Sequence, residues 1–207
     1  MKRMTTLVLA TAWVLMGAMC QDDTPGYELR VHLLGRDGGG VVPERSLSEG
    51  KASLKNFTCD VSVRLGQCVD ARPIQLVFVP AEQSQSGSNA CGSRSASRIL
   101  TANVGQRITL GRGNPDAGLL WIQAFQGDDD DDSGLVDRRE MNAYAELKYG
   151  VLDVQAFDAD QMTAEINAHD SDGGSYIVGR LGAVPNDYGN RGPVGPRCTW
   201  PIGAKAD

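Results

Sequence analysis

The chain has no C-x-x-C pair, and its only two histidines, His32 and His169, stand at no interval from the cysteines that a zinc module uses. It also lacks a G-x-S-x-G elbow, an H-E-x-x-H helix and a phosphate-binding glycine loop, so the common hydrolase, metalloprotease and nucleotide signatures are missing. Basic charge is short: 20 Lys and Arg face 26 Asp and Glu, a formal charge of −6, which becomes −8 if Lys2 and Arg3 leave with a leader. A scattered acidic balance argues against nucleic acid and against peripheral binding to anionic lipid. No segment repeats with a fixed period, which disfavours a solenoid or propeller. The apolar run Thr6 to Met16 is too short to cross a bilayer.

What that run does resemble is an export leader. Lys2 and Arg3 make a positive start, the apolar run follows, and Gly17-Ala18-Met19-Cys20 closes it in small residues. Cys20 resembles the acylated cysteine of a bacterial lipoprotein signal, which carries diacylglycerol and an acyl chain such as palmitate. Gly17 and Met19 stand where such signals usually carry Leu and then Gly or Ala. The alternative is ordinary cleavage after Cys20. On the first reading, Gln21 after the cysteine directs the protein to the outer membrane; on the second it is secreted. Residues 1–20 are thus a signal peptide, 21–26 a polar tether, and 27–207 a single domain.

Either cleavage leaves Cys59, Cys68, Cys91 and Cys198, an even number in an exported chain, which reads as two disulfides. Cys59 and Cys68 bracket a strand and its turn, favouring a local bridge, with Cys91 left for Cys198.

The clearest architecture lies between Gly150 and Ala183. Met162, Ala164, Ile166 and Ala168 alternate with polar neighbours, the mark of a strand with one buried face. Asp158-Ala159-Asp160 and Asp170 to Gly174 supply the reversals on either side. Three antiparallel strands result, and their apolar face needs a second sheet. Upstream, Tyr27–Leu34 alternates cleanly, and Val41-Val42, Lys51–Asn56 and Asp60–Leu65 are shorter strands. Pro73–Val79 and Leu119–Phe125 are apolar enough to be central. Ile99–Val104 and Gln106–Leu110 continue the pattern, Ala81–Arg98 is a long surface loop, and Val136–Leu147 is the one helix candidate, with Ala143–Tyr149 alternatively extending the following strand. The fold class is all-β: an antiparallel β-sandwich of many short strands with long surface loops and at most one short helix.

Candidate sites are few. Asp128 to Asp132 could relieve their mutual repulsion around Ca²⁺, with Asp128, Asp130 and Asp132 as ligands and Asp170 and Asp172 as a second source; a solvated acidic loop is the plainer account. His169 beside Asp170, with Ser171 or Ser175, supports a hydrolytic site by adjacency alone. Tyr144, Tyr149, Tyr176, Tyr188, Trp121 and Trp200 could stack on sugar, although Trp121 lies in an apolar strand and is expected in the core.

The segment from Gly150 to Cys198 resembles small exported proteins of unknown function from myxobacteria and their relatives. The shared pattern is Gly150-Val151-Leu152, the Asp158-Ala159-Asp160 turn, Met162 to Ala168, the Asp172 to Gly174 turn, Gly179 to Ala183, and Cys198, with Cys91 as an upstream partner cysteine. The resemblance implies a β-sandwich lipoprotein and carries no catalytic residues. The function expected is a non-enzymatic, cell-envelope lipoprotein held in the outer membrane by its lipid alone, binding a partner protein or glycan, as in a surface motility or adhesion assembly. A secreted hydrolase or carbohydrate-binding accessory protein is the alternative.

Overall fold

The computed structural model describes residues 26–34, 41–56, 59–69, 72–80, 95–111, 120–127 and 141–185. Within them run β1 (Gly26–Leu33), β2 (Val42–Asn56), β3 (Val61–Val69), β4 (Arg72–Pro80), α1 (Ala96–Ala102), β5 (Arg107–Leu110), β6 (Leu120–Gly127), β7 (Met141–Leu147), β8 (Tyr149–Phe157), β9 (Met162–His169) and β10 (Tyr176–Pro185). The chain is an all-β sandwich with one short helix among the described residues.

Hydrogen bonding runs continuously in the order β5-β8-β9-β10-β1-β2-β3-β4-β6-β7. The long β2 is the hinge of that order. Its first part pairs with β1, from Leu33 opposite Val42 to Gly26 opposite Lys51, and its second part, Ala52–Asn56, pairs with β3. The register slips between Tyr27 and Glu28, skipping Glu49, and such a bulge bends a strand. β2 therefore belongs to both layers. The last residues of β10 pair parallel to it, Ala183 opposite Ala52; the other pairings are antiparallel.

Both layers turn one face inward because their sequences alternate. β1 buries Tyr27, Leu29, Val31 and Leu33; β9 buries Met162, Ala164, Ile166 and Ala168. They meet Val61, Val63 and Leu65 of β3, Leu76 and Phe78 of β4, and Ile122 and Ala124 of β6 in one core. β7 packs across this core against β1 and β9, as facing sheets require. The meander expected between Gly150 and Ala183 is β8-β9-β10, with both turns where Asp and Gly predicted them.

Four expectations need correction. Val136–Leu147 is not a helix over its described part: Met141–Leu147 is β7, which pairs with β6 and buries Ala143, Ala145 and Leu147 alternately. The helix lies instead at Ala96–Ala102, where a strand was expected. Ser95 caps it, its side chain accepting the Arg98 N–H, and Ala96, Ile99 and Leu100 enter the core against β4 and β8. Val42 and Lys51–Asn56 are parts of one strand, β2, with Val41 just before it. Finally, β3 runs on to Val69 with a bulge between Leu65 and Cys68, so Cys68 lies within a strand rather than in a turn: Val61 lies opposite Phe78 and Cys68 opposite Pro73. The five-residue step from Pro73 to Phe78 puts those two ends about 16 Å apart at strand rise, well beyond the roughly 7 Å a disulfide can bridge.

Candidate functional site

The antiparallel registers align side chains across the solvent face of the first layer in rows. One row is charged: Arg107, Asp153, Glu165, Arg180 and Glu28 lie on β5, β8, β9, β10 and β1. Arg107 grips Asp153 with both Nε and Nη2, at 2.9 Å each, and this hydrogen bond holds the Asp153 carboxyl below its usual range. Such exposed pairs contribute little to stability.

Two rows further along the strands comes a different chemistry. Tyr149 lies opposite His169, His169 opposite Tyr176, and Tyr176 opposite His32. Both histidines of the chain thus alternate with tyrosines on four adjacent strands, a line about 14 Å long at strand spacing. Tyr149 and His169 stack at 5.8 Å and 19°; His32 and Tyr176 lie 5.8 Å apart at 43°. Partial desolvation and then a hydrogen bond to Glu44 push the Tyr176 hydroxyl above its ordinary pKa. His32 Nδ1 is buried and has no hydrogen-bond partner.

The turn between β9 and β10 fixes the centre of this row. Asp170 accepts the Gly174 N–H on Oδ1 and the Ser175 N–H on Oδ2, each at 2.9 Å, and the Asp172 N–H at 3.2 Å. Partial burial raises the Asp170 pKa, but the bonds from Ser175, Asp172 and Gly174 outweigh it and the carboxyl titrates below its ordinary value. Ser175 Oγ also accepts the Leu34 N–H at 3.0 Å, tying the end of β1 to the turn. His169 Nδ1 lies 2.8 Å from the Asp170 carbonyl oxygen, which can only accept, so Nδ1 is the donor of that bond.

This geometry does not assemble the base and nucleophile that adjacency suggested. The Asp170 carboxylate faces backbone amides rather than the imidazole, and Ser175 is 1 % exposed with its hydroxyl engaged in the turn. Ser171 is exposed on the same turn. Replacing Asp170 with alanine removes three charge-assisted bonds and should cost about 2–3 kcal/mol at neutral pH. Because folding lowers this pKa, the contribution is complete above the ordinary Asp value of about 3.9 and is lost as pH falls through the lower folded value. Urea melts of both proteins from pH 7 to pH 3 should therefore converge at the acid end. A constant gap would show that the charge is irrelevant.

The end of the layer that carries the row is also where apolar groups reach solvent. Of the four large hydrophobic residues exposed among the described ones, Leu34 is 44 % exposed, Val41 55 % and Tyr149 49 %, and all three lie here. Leu34 follows the Leu33–Val42 pair on β1, Val41 precedes it on β2, and the Leu34 side chain lies over Gly174 of the turn. The remaining one, Val104, follows α1.

The other predicted residues fall elsewhere. Trp121 is outside the core: it points from the opposite face of β6, half-buried, with the Lys148 ammonium 4.7 Å above its ring. Alternation explains this, since Leu120 and Ile122 on either side take the inward places. Tyr144 stacks on Phe125 on that same face at 6.0 Å and 11°. Cys59 sits just before β3 and is disulfide-bonded. The Cys68 side chain, Cys20, Cys91, Cys198, Tyr188, Trp200 and the acidic run with Asp128, Asp130 and Asp132 lie outside the described side chains. Among the described residues, no three metal-ligating side chains converge, and no helix is long and apolar enough to cross a membrane. No family model matches the chain, and neither curated proteins nor solved structures yield a match.

Proposed function

We propose that this protein is a non-enzymatic, cell-envelope lipoprotein, anchored at Cys20 in the outer membrane, that binds a partner protein or glycan through the far end of its first sheet. An envelope assembly such as surface motility or adhesion machinery suits such a device. The observation that carries this reading is the placement of Leu34, Val41 and Tyr149 around the tyrosine–histidine row. A flat patch of exposed apolar and aromatic groups fits recognition better than catalysis, which wants convergent polar groups in a cleft.

The tether adds direction. Cys20 precedes the first residue of β1 by six positions, and β1 then runs about 20 Å from Gly26 to His32 at strand rise. An anchor at Cys20 would therefore hold the start of β1 near the bilayer and turn the row away from it. The leader pattern and the resemblance to exported β-sandwich lipoproteins support the same placement, with Cys59, Cys68, Cys91 and Cys198 forming two disulfides in an oxidising compartment.

Replacing Cys20 with serine tests the anchor. The wild type should sediment with membranes and require detergent for release, whereas the variant should be found in the soluble fraction. Equal solubility of the two without detergent would mean ordinary secretion.

A further inference from the structure

We infer that the outermost member of the row, Tyr149, is the stacking surface of a subsite for one pyranose ring of a neutral glycan. This rests on the binding reading above and names its ligand. Tyr149 stacks on His169 at 5.8 Å and stays half exposed. Leu110 lies opposite Gly150, so the residue that continues β5 past Tyr149 is Gly111, which has no side chain. The aromatic ring is 49 % exposed at the end of β8, beyond the last residue pair with β5.

Hydrogen-bonding groups flank the open ring. Thr109 on β5 and Asn167 on β9 are exposed on the same face one row away, about 7 Å along their strands. In its neutral form His169 offers Nε2 as an acceptor, because Nδ1 donates to the Asp170 carbonyl. A ring face for C–H groups, with a hydroxyl, an amide and an imidazole acceptor at its margin, matches a sugar, which has an apolar face and a rim of hydroxyls.

Charge decides between neutral and ionic glycans. The described cations nearby are already paired: Lys148 with Glu146, Arg107 with Asp153 two rows away, and Arg30 with Glu44 at 3.8 Å. The Asp170 carboxylate is turned to backbone amides, and Asp172 is exposed on the same turn. A carboxylated or phosphorylated sugar would find no countercharge there.

The test titrates the mature chain with the tetrasaccharides of glucose and of N-acetylglucosamine, followed by amide chemical shifts. Shifts should localise to Thr109, Gly111, Asn167 and His169. Tyr149→Ala should weaken binding by roughly tenfold or more, and Tyr149→Phe, which keeps the ring, should retain it. Far-ultraviolet circular dichroism checks that both variants fold. Binding that ignores Tyr149→Ala, or the absence of shifts with either probe, overturns the inference. A photocrosslinker at Val41 separates this from failure of the wider reading: a protein captured there without saccharide binding sinks the glycan subsite and leaves partner binding standing, whereas no capture and no sugar binding sinks both.

Discussion

Gly179→Ala is expected to lower the unfolding free energy by about 3–5 kcal/mol, enough to threaten a fold of ordinary stability. Gly179 sits in the middle of β10 at φ +137°, between Ile166 of β9 and Leu29 of β1. Strand interiors seldom gain from glycine, so its presence signals close approach. A Cβ there would lie well under 3.0 Å from the Glu28 carbonyl oxygen, which is backbone and cannot swing aside. The substitution therefore combines left-handed strain with a collision that only separation of β10 from β1 relieves. Gly150 on β8, at φ +115°, meets the Asn167 carbonyl oxygen in the same way and should behave alike. Gly173, at φ +70° in the Asp170 turn, is the control: nothing lies within 4 Å of its Cβ position, so Gly173→Ala should cost only about 1 kcal/mol. Urea denaturation of the three variants ranks them. Equal losses at Gly179 and Gly173 would mean that backbone crowding between β10 and β1 is not what the glycine serves.

How much of this was legible in sequence follows the range of the interaction. The meander was readable because Asp158 and Asp170 each close their turn on neighbours two to five residues on, and because Met162 to Ala168 alternates without a break. Half of the tyrosine–histidine row was within reach for the same reason. His169 and Tyr176 flank one turn and must face each other once its length is known. His32 could not be placed, since β1 joins β10 across the 143 residues between His32 and Tyr176. Long β2 reads in sequence as two strands because Pro43, Gly50 and the serines between them look like turn residues; β1 holds its first part extended and β3 and β10 its second. β7 misled in the opposite direction. Met, Ala, Glu and Leu are good helix formers, but the open edge of β6 and the inward row of Ala143, Ala145 and Leu147 decide the outcome, and tertiary context overrides weak intrinsic preference. The seven-residue α1 is too short to form alone and depends on its Ser95 cap and its seat against β4 and β8.

Peptide mapping of unreduced, exported protein is expected to join Cys59 to Cys91, leaving Cys68 for Cys198. Cys59 is disulfide-bonded, and β3, which sets Val61 opposite Phe78 and Cys68 opposite Pro73, holds Cys59 and Cys68 too far apart to bond each other. Of the remaining cysteines, Cys91 is the nearest in sequence to a described contact with Cys59. The Ala96 N–H donates to the Cys59 carbonyl oxygen at 2.7 Å, so the start of α1 is already moored beside Cys59, and Cys91 lies only five residues earlier. Five residues span at most about 17 Å, whatever their path. Cys198 is 13 residues beyond Pro185, a longer search with no described contact to guide it. Closing the loop between Cys59 and Cys91 should contribute about 3–4 kcal/mol by restricting the unfolded chain. Cys59→Ser should remove that stability and also loosen α1, seen as faster amide exchange at Leu100 and Asn103, while Cys68→Ser should leave those amides protected. A peptide linking Cys59 to Cys198 would overturn the assignment and make the C-terminal segment, rather than the loop before α1, the strap on this edge of the sandwich.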